Sequence, residues 1–293
     1  MVFIPVDSNL LPLASKFIEP CEETCVYLSS YLRRGSKHVF LISKIPNPSS
    51  PSDLHGVIYN DSSVFHCIPH PENFSKEELF ELKKFFEQPG LSPLFQSDES
   101  DSKKIKCISG EAKTTAFLTA LLKTEIGEPY QTNHYNLMTA FSIINPTEQL
   151  YNDDEIVRCS ENDLESLLPI QKEYMNSEVA PFGKKATDAE ISMSLRQILK
   201  NQLCLALYSD GEIVAKANTN AIGINWIQLG GIYTHPLYRR NGYAWQLISA
   251  ILRRTSKAGK KAALFVKDIN VPAMELYKKI GFTNSGLYTI GYY

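Results

Sequence analysis

Residues 239–244 read Arg-Arg-Asn-Gly-Tyr-Ala, inside the run THPLYRRNGYAWQL that leads into an amphipathic segment. The chemistry these residue types suit is anion binding. Where a strand turns into a helix, several backbone N–H groups lack partners and the helix start carries partial positive charge. Phosphate binds at such a turn if the backbone can come close. Gly242 permits that approach and any positive φ the turn needs, and Ala244 keeps the next inward position small. Arg239 and Arg240 add charge and forked donors at the rim, while Pro236 stiffens the strand exit. A basic turn capping an ordinary helix is the plainer alternative, and six residues alone leave both readings open.

A second stretch, LFVKDINVPAMELYKKIGF at 264–282, adds polar groups of another kind. Tyr277 follows Asn270 by seven residues, about two helical turns, so the two lie near one line along a helix. Tyrosine on a helix face is usually packing. At the mouth of a phosphate-binding cleft its phenol can donate a proton.

The elements that must position these groups follow from periodicity and turn chemistry. In the second half, helices are expected at 161–178 and 188–202. Strands at 203–223 are joined at Asp210-Gly211, a strong hairpin signal. A strand at 225–233, a helix from about Gly242, a strand at 261–266, a helix at 271–280 and a strand at 287–293 complete it. Pro272 stands in the first turn of its helix and Gly281 at the C-cap. Antiparallel strands followed by a β-α-β crossover make a mixed sheet with helices on its faces, an α/β class. The first half shows helical spacing over 9–34, a strand at 37–45, a hairpin through Asn60 and Asp61, and a helix at 75–88. Ser75 and Glu78 form a capping box at the start of that helix. A strand and helix follow within 104–124, then a strand at 130–141. The polar run 145–155 is the best linker candidate, dividing the chain into domains 1–148 and 149–293.

Bulk properties exclude several classes. A length of 293 residues fits one large or two medium domains. The net charge of −2 gives no reason to expect a nucleic-acid binder. No run approaches a membrane span, and the N-terminal residues do not read as a signal peptide. The six cysteines are scattered and read as free thiols of a cytoplasmic protein. Cys21 with Cys25, and His66 with Cys67 and His70, are the only suspicions of a metal. Neither repeats the paired spacing of a zinc module, so no metal is expected.

The two motifs, in this order and separation, resemble the GNAT superfamily of N-acyltransferases, over roughly residues 155–293. The resemblance implies a GNAT fold and acetyl-CoA as cosubstrate, with transfer of the acetyl group to a primary amine by direct attack on the thioester. It assigns CoA pyrophosphate binding to Arg239, Arg240, Asn241, Gly242, Tyr243 and Ala244. Pantetheine pairing, with a backbone N–H polarising the thioester carbonyl, falls to Ile232, Tyr233 and Thr234. Asn270 and Ala273 match a further CoA-contact segment, and Tyr277 the tyrosine often taken as general acid. The chain departs from the pattern at Gln228, where many members carry a glutamate as base. Glu178 is the first substitute, and His235, the only histidine of this half, reads as structural. The acceptor is a small-molecule or peptide amine. The departure at Gln228 leaves a rival reading open, a CoA-binding sensor or interaction module with little or no activity.

Echoes of the second half occur in the first. CIPHPENFSKEELFELKKFF parallels IYTHPLYRRNGYAWQLISAI, and KKIKCISGEAKTTAFLTALL parallels KKAALFVKDINVPAMELYKK. A degenerate GNAT-like copy and coincidental patterning are both open. A copy would have lost the cofactor site, because NFSKEE stands where RRNGYA stands.

Overall fold

The computed structural model describes residues 1–87, 105–141, 156–179 and 185–293. The linker candidate at 145–155 therefore lies outside the described residues. Among the described residues, twelve strands run in chain order: β1 Val2–Pro5, β2 Val39–Ser43, β3 Leu54–Asn60, β4 Ser63–Cys67, β5 Cys107–Glu111, β6 Gln131–Ala140, β7 Ile156–Arg158, β8 Cys204–Ser209, β9 Glu212–Ile222, β10 Trp226–Thr234, β11 Lys261–Val266 and β12 Thr283–Tyr292. Between them, among the same residues, lie eight α-helices: α1 Leu11–Ile18, α2 Val26–Arg33, α3 Lys76–Glu87, α4 Ala112–Ile126, α5 Leu164–Tyr174, α6 Asp188–Asn201, α7 Tyr243–Ser256 and α8 Val271–Ile280. The sequence reading missed β1 and β7, which have four and three residues. It also ran α1 and α2 together, although a 3-10 turn at Glu19–Thr24 separates them.

All twelve strands form one sheet, in the order β1-β2-β3-β4-β5-β12-β6-β11-β10-β9-β8-β7. Adding six to each label of β1 to β6, and subtracting six from the rest, reproduces this order reversed. The pairings obey the same rule: β4–β5 and β10–β11 are parallel, and the neighbours outside them antiparallel. Each half thus gives its last strand to the other, with β12 lying between β5 and β6 and β6 between β12 and β11. The core follows from strand alternation. In β8, Leu205 and Leu207 pack with α7 and α8, while Cys204 and Ala206 pack with α5 and α6. In β2, Phe40 and Ile42 face α3 and α4, while Val39 and Leu41 face α1 and α2. Among the described residues, no helix is long and apolar enough to cross a membrane.

A buried carboxylate ties the first half to the turn between β9 and β10. Glu22 has no exposed surface. It accepts from Ser29 Oγ at 2.6 Å, Asn225 N at 2.9 Å, Asn225 Nδ2 at 3.0 Å and Trp226 N at 3.3 Å. Ser29 Oγ accepts in turn from Ile224 N at 2.9 Å. The turn between β9 and β10 comes this close because Gly223 has no side chain: a Cβ there would lie 2.6 Å from Glu22 Oε1. Removing the carboxylate orphans several buried donors at once. Glu22→Ala is expected to lower unfolding free energy by about 3 kcal/mol, read as a fall in denaturant midpoint at unchanged slope.

Candidate active site

Strand β10 carries the site. Its parallel pairing with β11 ends at Leu229–Leu264, although both strands continue. The register against β9 also slips, between Gln228 and Leu229 and again between Gly230 and Tyr233. Such bulges re-aim a strand, and here β10 separates from β11. Gly231 has φ +57°, and a Cβ on it would lie 1.9 Å from Asn218 Oδ1 and 2.8 Å from Lys216 Nζ. At Gly230, a Cβ would meet Asn220 Nδ2 at 2.0 Å. Both glycines are therefore required by close approach.

The gap between the strands opens into a cavity of about 740 Å³. At one end, the loop after β10 curls into α7. Arg240 and Gly242 have φ +70° and +78°, an alternation that turns successive N–H groups toward one concave side. Gly242 is the N-cap of α7 and accepts from Gln246 N at 3.1 Å. Its lack of a side chain leaves the first N–H groups of the helix uncapped. Arg239 is held by Nε donation to Thr234 O at 3.2 Å. Gly242, Tyr243, Ala244, Arg239 and Arg240 all line the cavity, as do Ile232, Tyr233 and Thr234. Asn241 does not: its Nδ2 donates to Tyr238 O at 3.2 Å, which fastens the loop. From the other wall come Asn270 and Ala273, where Asn270 Oδ1 caps α8 by accepting from Ala273 N at 3.3 Å.

Tyr277 and Glu178 both line this cavity. Tyr277 is buried in α8, and burial, with Tyr174 and Glu178 nearby, pushes its phenol well above the usual range. It stays protonated at any physiological pH. Glu178 lies on a π-helical turn, Met175–Val179, at the end of α5, and its carbonyl accepts from Lys267 Nζ at 3.3 Å. Turns of this kind often mark functional positions. Tyr174 lines the same space, its phenol raised to about 12, chiefly by burial, and lowered in part by hydrogen bonding from the Gly231 N–H. Gln228 faces the cavity almost fully buried, and its Oε1 has no partner among the described residues. His235 sits outside, accepting from Leu237 N at 3.4 Å and lying 3.6 Å from Glu173.

Which residues of the first half line this cavity was not legible in the sequence. Tyr27 of α2, Ser109 of β5 and Tyr135 of β6 all contribute to it. Ser109 Oγ lies 2.7 Å from the hydroxyl of Tyr288 in β12, so the exchanged strands build that wall. Also missed was a second cavity of about 460 Å³, which shares Tyr27, Tyr174, Val179, Asn220 and Gly231 with the first. Its lining includes the amide side chains Gln171, Gln197, Asn201 and Gln202 together with Arg34, and no carboxylate among the described residues.

In the first half, the equivalent places are filled. Counting back from the His-Pro pair, His66 stands where Gly231 stands. It is buried, its Nε2 is 3.0 Å from Thr115 Oγ1, and a Cβ on Gly110 would lie 2.3 Å from its ring. Burial lowers its pKa to about 3, so it is neutral. At the start of α3, Glu78 accepts from Ser75 N at 2.9 Å and lies 2.7 Å from His55 Nε2. A carboxylate of the chain itself thus occupies the helix start. The cysteines behave as thiols: Cys21 and Cys67 have their sulfurs 3.1 Å apart, and among the described residues no cluster of metal-ligating groups forms.

Residues 166–282 match the model of the acetyltransferase (GNAT) family. Solved structures resemble the whole chain. A Drosophila protein is 14% identical, with 100% of this chain and 98% of that chain covered and a TM-score of 0.65. A GCN5-related N-acetyltransferase from Sphaerobacter thermophilus is 13% identical, with 99% and 94% covered and a TM-score of 0.55. An acetyltransferase of the GNAT family from Colwellia psychrerythraea is 10% identical, with 100% of both covered and a TM-score of 0.52. These likenesses show the fold. No curated protein sequence matches the chain.

Proposed function

We propose that the GNAT domain at 166–282 makes this chain an N-acyltransferase that moves an acetyl group from acetyl-CoA to a primary amine. One observation carries the reading: a single cavity is lined both by an uncapped, arginine-flanked helix start and by Tyr277 and Glu178. The first suits a pyrophosphate; the second supplies a proton donor and an acceptor. The α7 N–H groups, Arg239 and Arg240 hold the phosphates. Strand β10, unpaired on its β11 side beyond Leu229, offers backbone groups to the pantetheine arm. Glu178 takes a proton from the attacking amine, directly or through water, and Tyr277 gives one to the departing thiolate, whose reference pKa of about 8.5 makes modest help sufficient. Thiol release from acetyl-CoA across a panel of amines tests this. CoA binding without turnover on any amine would leave the rival, a CoA-binding module, which Gln228 favours by standing where an acid would serve as base.

The second cavity is the acceptor route in this reading. It meets the first at Gly231, Tyr174 and Tyr27, where thioester and amine would come together. Its amides, its tyrosines and Arg34 without a carboxylate suit an acceptor that brings its own negative charge, and give a polycation no counter-charge. Arg34→Gln is expected to raise the acceptor KM about 10-fold, from loss of a charge-assisted hydrogen bond, with acetyl-CoA KM unchanged in steady-state kinetics.

The reversed strand order and the two sequence echoes support an internal duplication in which residues 1–148 are the degenerate copy. His66 and Glu78 then fill the places that Gly231 and an anion would hold. In this reading the copy serves the active half by supplying a wall of each cavity.

A further inference from the structure

Lys216, in β9, is among the largest fully buried side chains. A buried ammonium is costly unless a carboxylate accompanies it, and among the described residues none pairs with this one. Its Nζ donates instead to Gly231 O at 3.0 Å and Asn218 Oδ1 at 3.1 Å, and lies 4.8 Å from the centre of the Tyr174 ring. The titratable groups facing it are the Cys204 thiol from β8, the Cys159 thiol after β7 and the Tyr174 phenol from α5. Desolvation lowers its own pKa to about 8, against a partial opposing effect of the two thiols. The chain therefore keeps a destabilising charge under the bulge of its cofactor strand.

We infer that Lys216 is a positioning residue for acyl transfer: by drawing the Gly231 carbonyl to itself, it presents the Ile232 N–H to the cleft as the donor for the thioester oxygen. A trans peptide points its C=O and N–H in opposite directions, so fixing one fixes the other. The Ile232 N–H belongs to the same peptide as that carbonyl, on a stretch of β10 that β11 leaves unpaired beyond Leu229. A charge-assisted hydrogen bond at the carbonyl also polarises the shared peptide and strengthens its N–H as a donor. This role rests on the acyl-transfer reading.

The test compares wild type with Lys216→Met and Lys216→Gln, measuring CoA affinity, kcat, KM and thermal stability with one amine acceptor. Removing a well-aimed oxyanion donor costs about 100-fold or more in kcat, and loosening its aim less. Lys216→Met is expected to lose about 10- to 100-fold in kcat, to bind CoA within about 2-fold of wild type, and to melt no lower. Lys216→Gln, which can still donate to the carbonyl, is expected to recover part of the loss. Above pH of about 8 the lysine loses its charge, so the wild-type advantage over Lys216→Met should shrink there. An unchanged kcat overturns the role, and so does a kcat loss accompanied by a lower melting temperature and weaker CoA binding, which marks a structural lysine. Wild type that binds CoA but acylates no amine overturns the acyl-transfer reading itself, and this role with it.

Discussion

Gly242→Asp should weaken CoA binding by about 100-fold or more while the protein stays folded. The two halves explain both parts of this expectation. At the start of α3, Glu78 occupies the helix end with its own carboxylate. At the start of α7, Gly242 leaves that end open to the loop carrying Arg239 and Arg240. Aspartate tolerates the left-handed conformation better than most residues, so the φ of +78° there costs the fold about 1 kcal/mol, too little to unfold it. Its charge, however, takes the place of the pyrophosphate and repels it. A 100-fold loss corresponds to about 2.7 kcal/mol, a plausible total for displaced N–H donors and like-charge repulsion. Gly242→Asn separates the two effects, since it keeps the shape and drops the charge. Calorimetric titration with CoA at fixed salt, beside thermal melts, reads both variants. Gly242→Asp that is folded and binds CoA normally would return the loop to a plain helix cap.

What the sequence disclosed was local. The loop at 239–244 and the ends of α8 at Pro272 and Gly281 are built from contiguous residues, so their turn chemistry shows in the string. Asp210-Gly211 gave a tight hairpin for the same reason, with φ +51° and +82°. What stayed hidden depends on long-range pairing. Tyr288 reaches Ser109 across 179 positions, and nothing near either residue announces it. Exchange of β6 and β12 joins the strands of both halves in one continuous sheet and brings Tyr27, Ser109 and Tyr135 to the cavity. Lys216 was missed because a lysine in an alternating strand reads as facing water; the face it lies on is covered by α5. The short β1 and β7 sit at the sheet's ends, where three or four residues suffice and periodicity is too brief to register.

Tyr277→Phe should lower kcat by about 100-fold and leave CoA affinity nearly unchanged. General acid catalysis contributes about 10²- to 10⁴-fold, and the low end applies because a thiolate leaves readily. The change is conservative for packing. The ring lies in the core cluster of α7 and α8 and meets Phe282 edge-on, with centroids 6.1 Å apart, and phenylalanine preserves both contacts. Only the hydroxyl is lost. Its raised pKa, caused first by burial and then by Tyr174 and Glu178, keeps the proton on Tyr277 throughout the working range. The wild-type rate should therefore show no fall with pH that belongs to this residue. Glu178 acts in the opposite direction, on the amine, so Glu178→Gln should lose activity most at low pH, where fewer amines are already neutral. Pre-steady-state measurement of thiol release, with CoA affinity taken separately, distinguishes a chemical defect from a binding one. Full activity in Tyr277→Phe would move proton donation to another hydroxyl in the cavity, such as Tyr174.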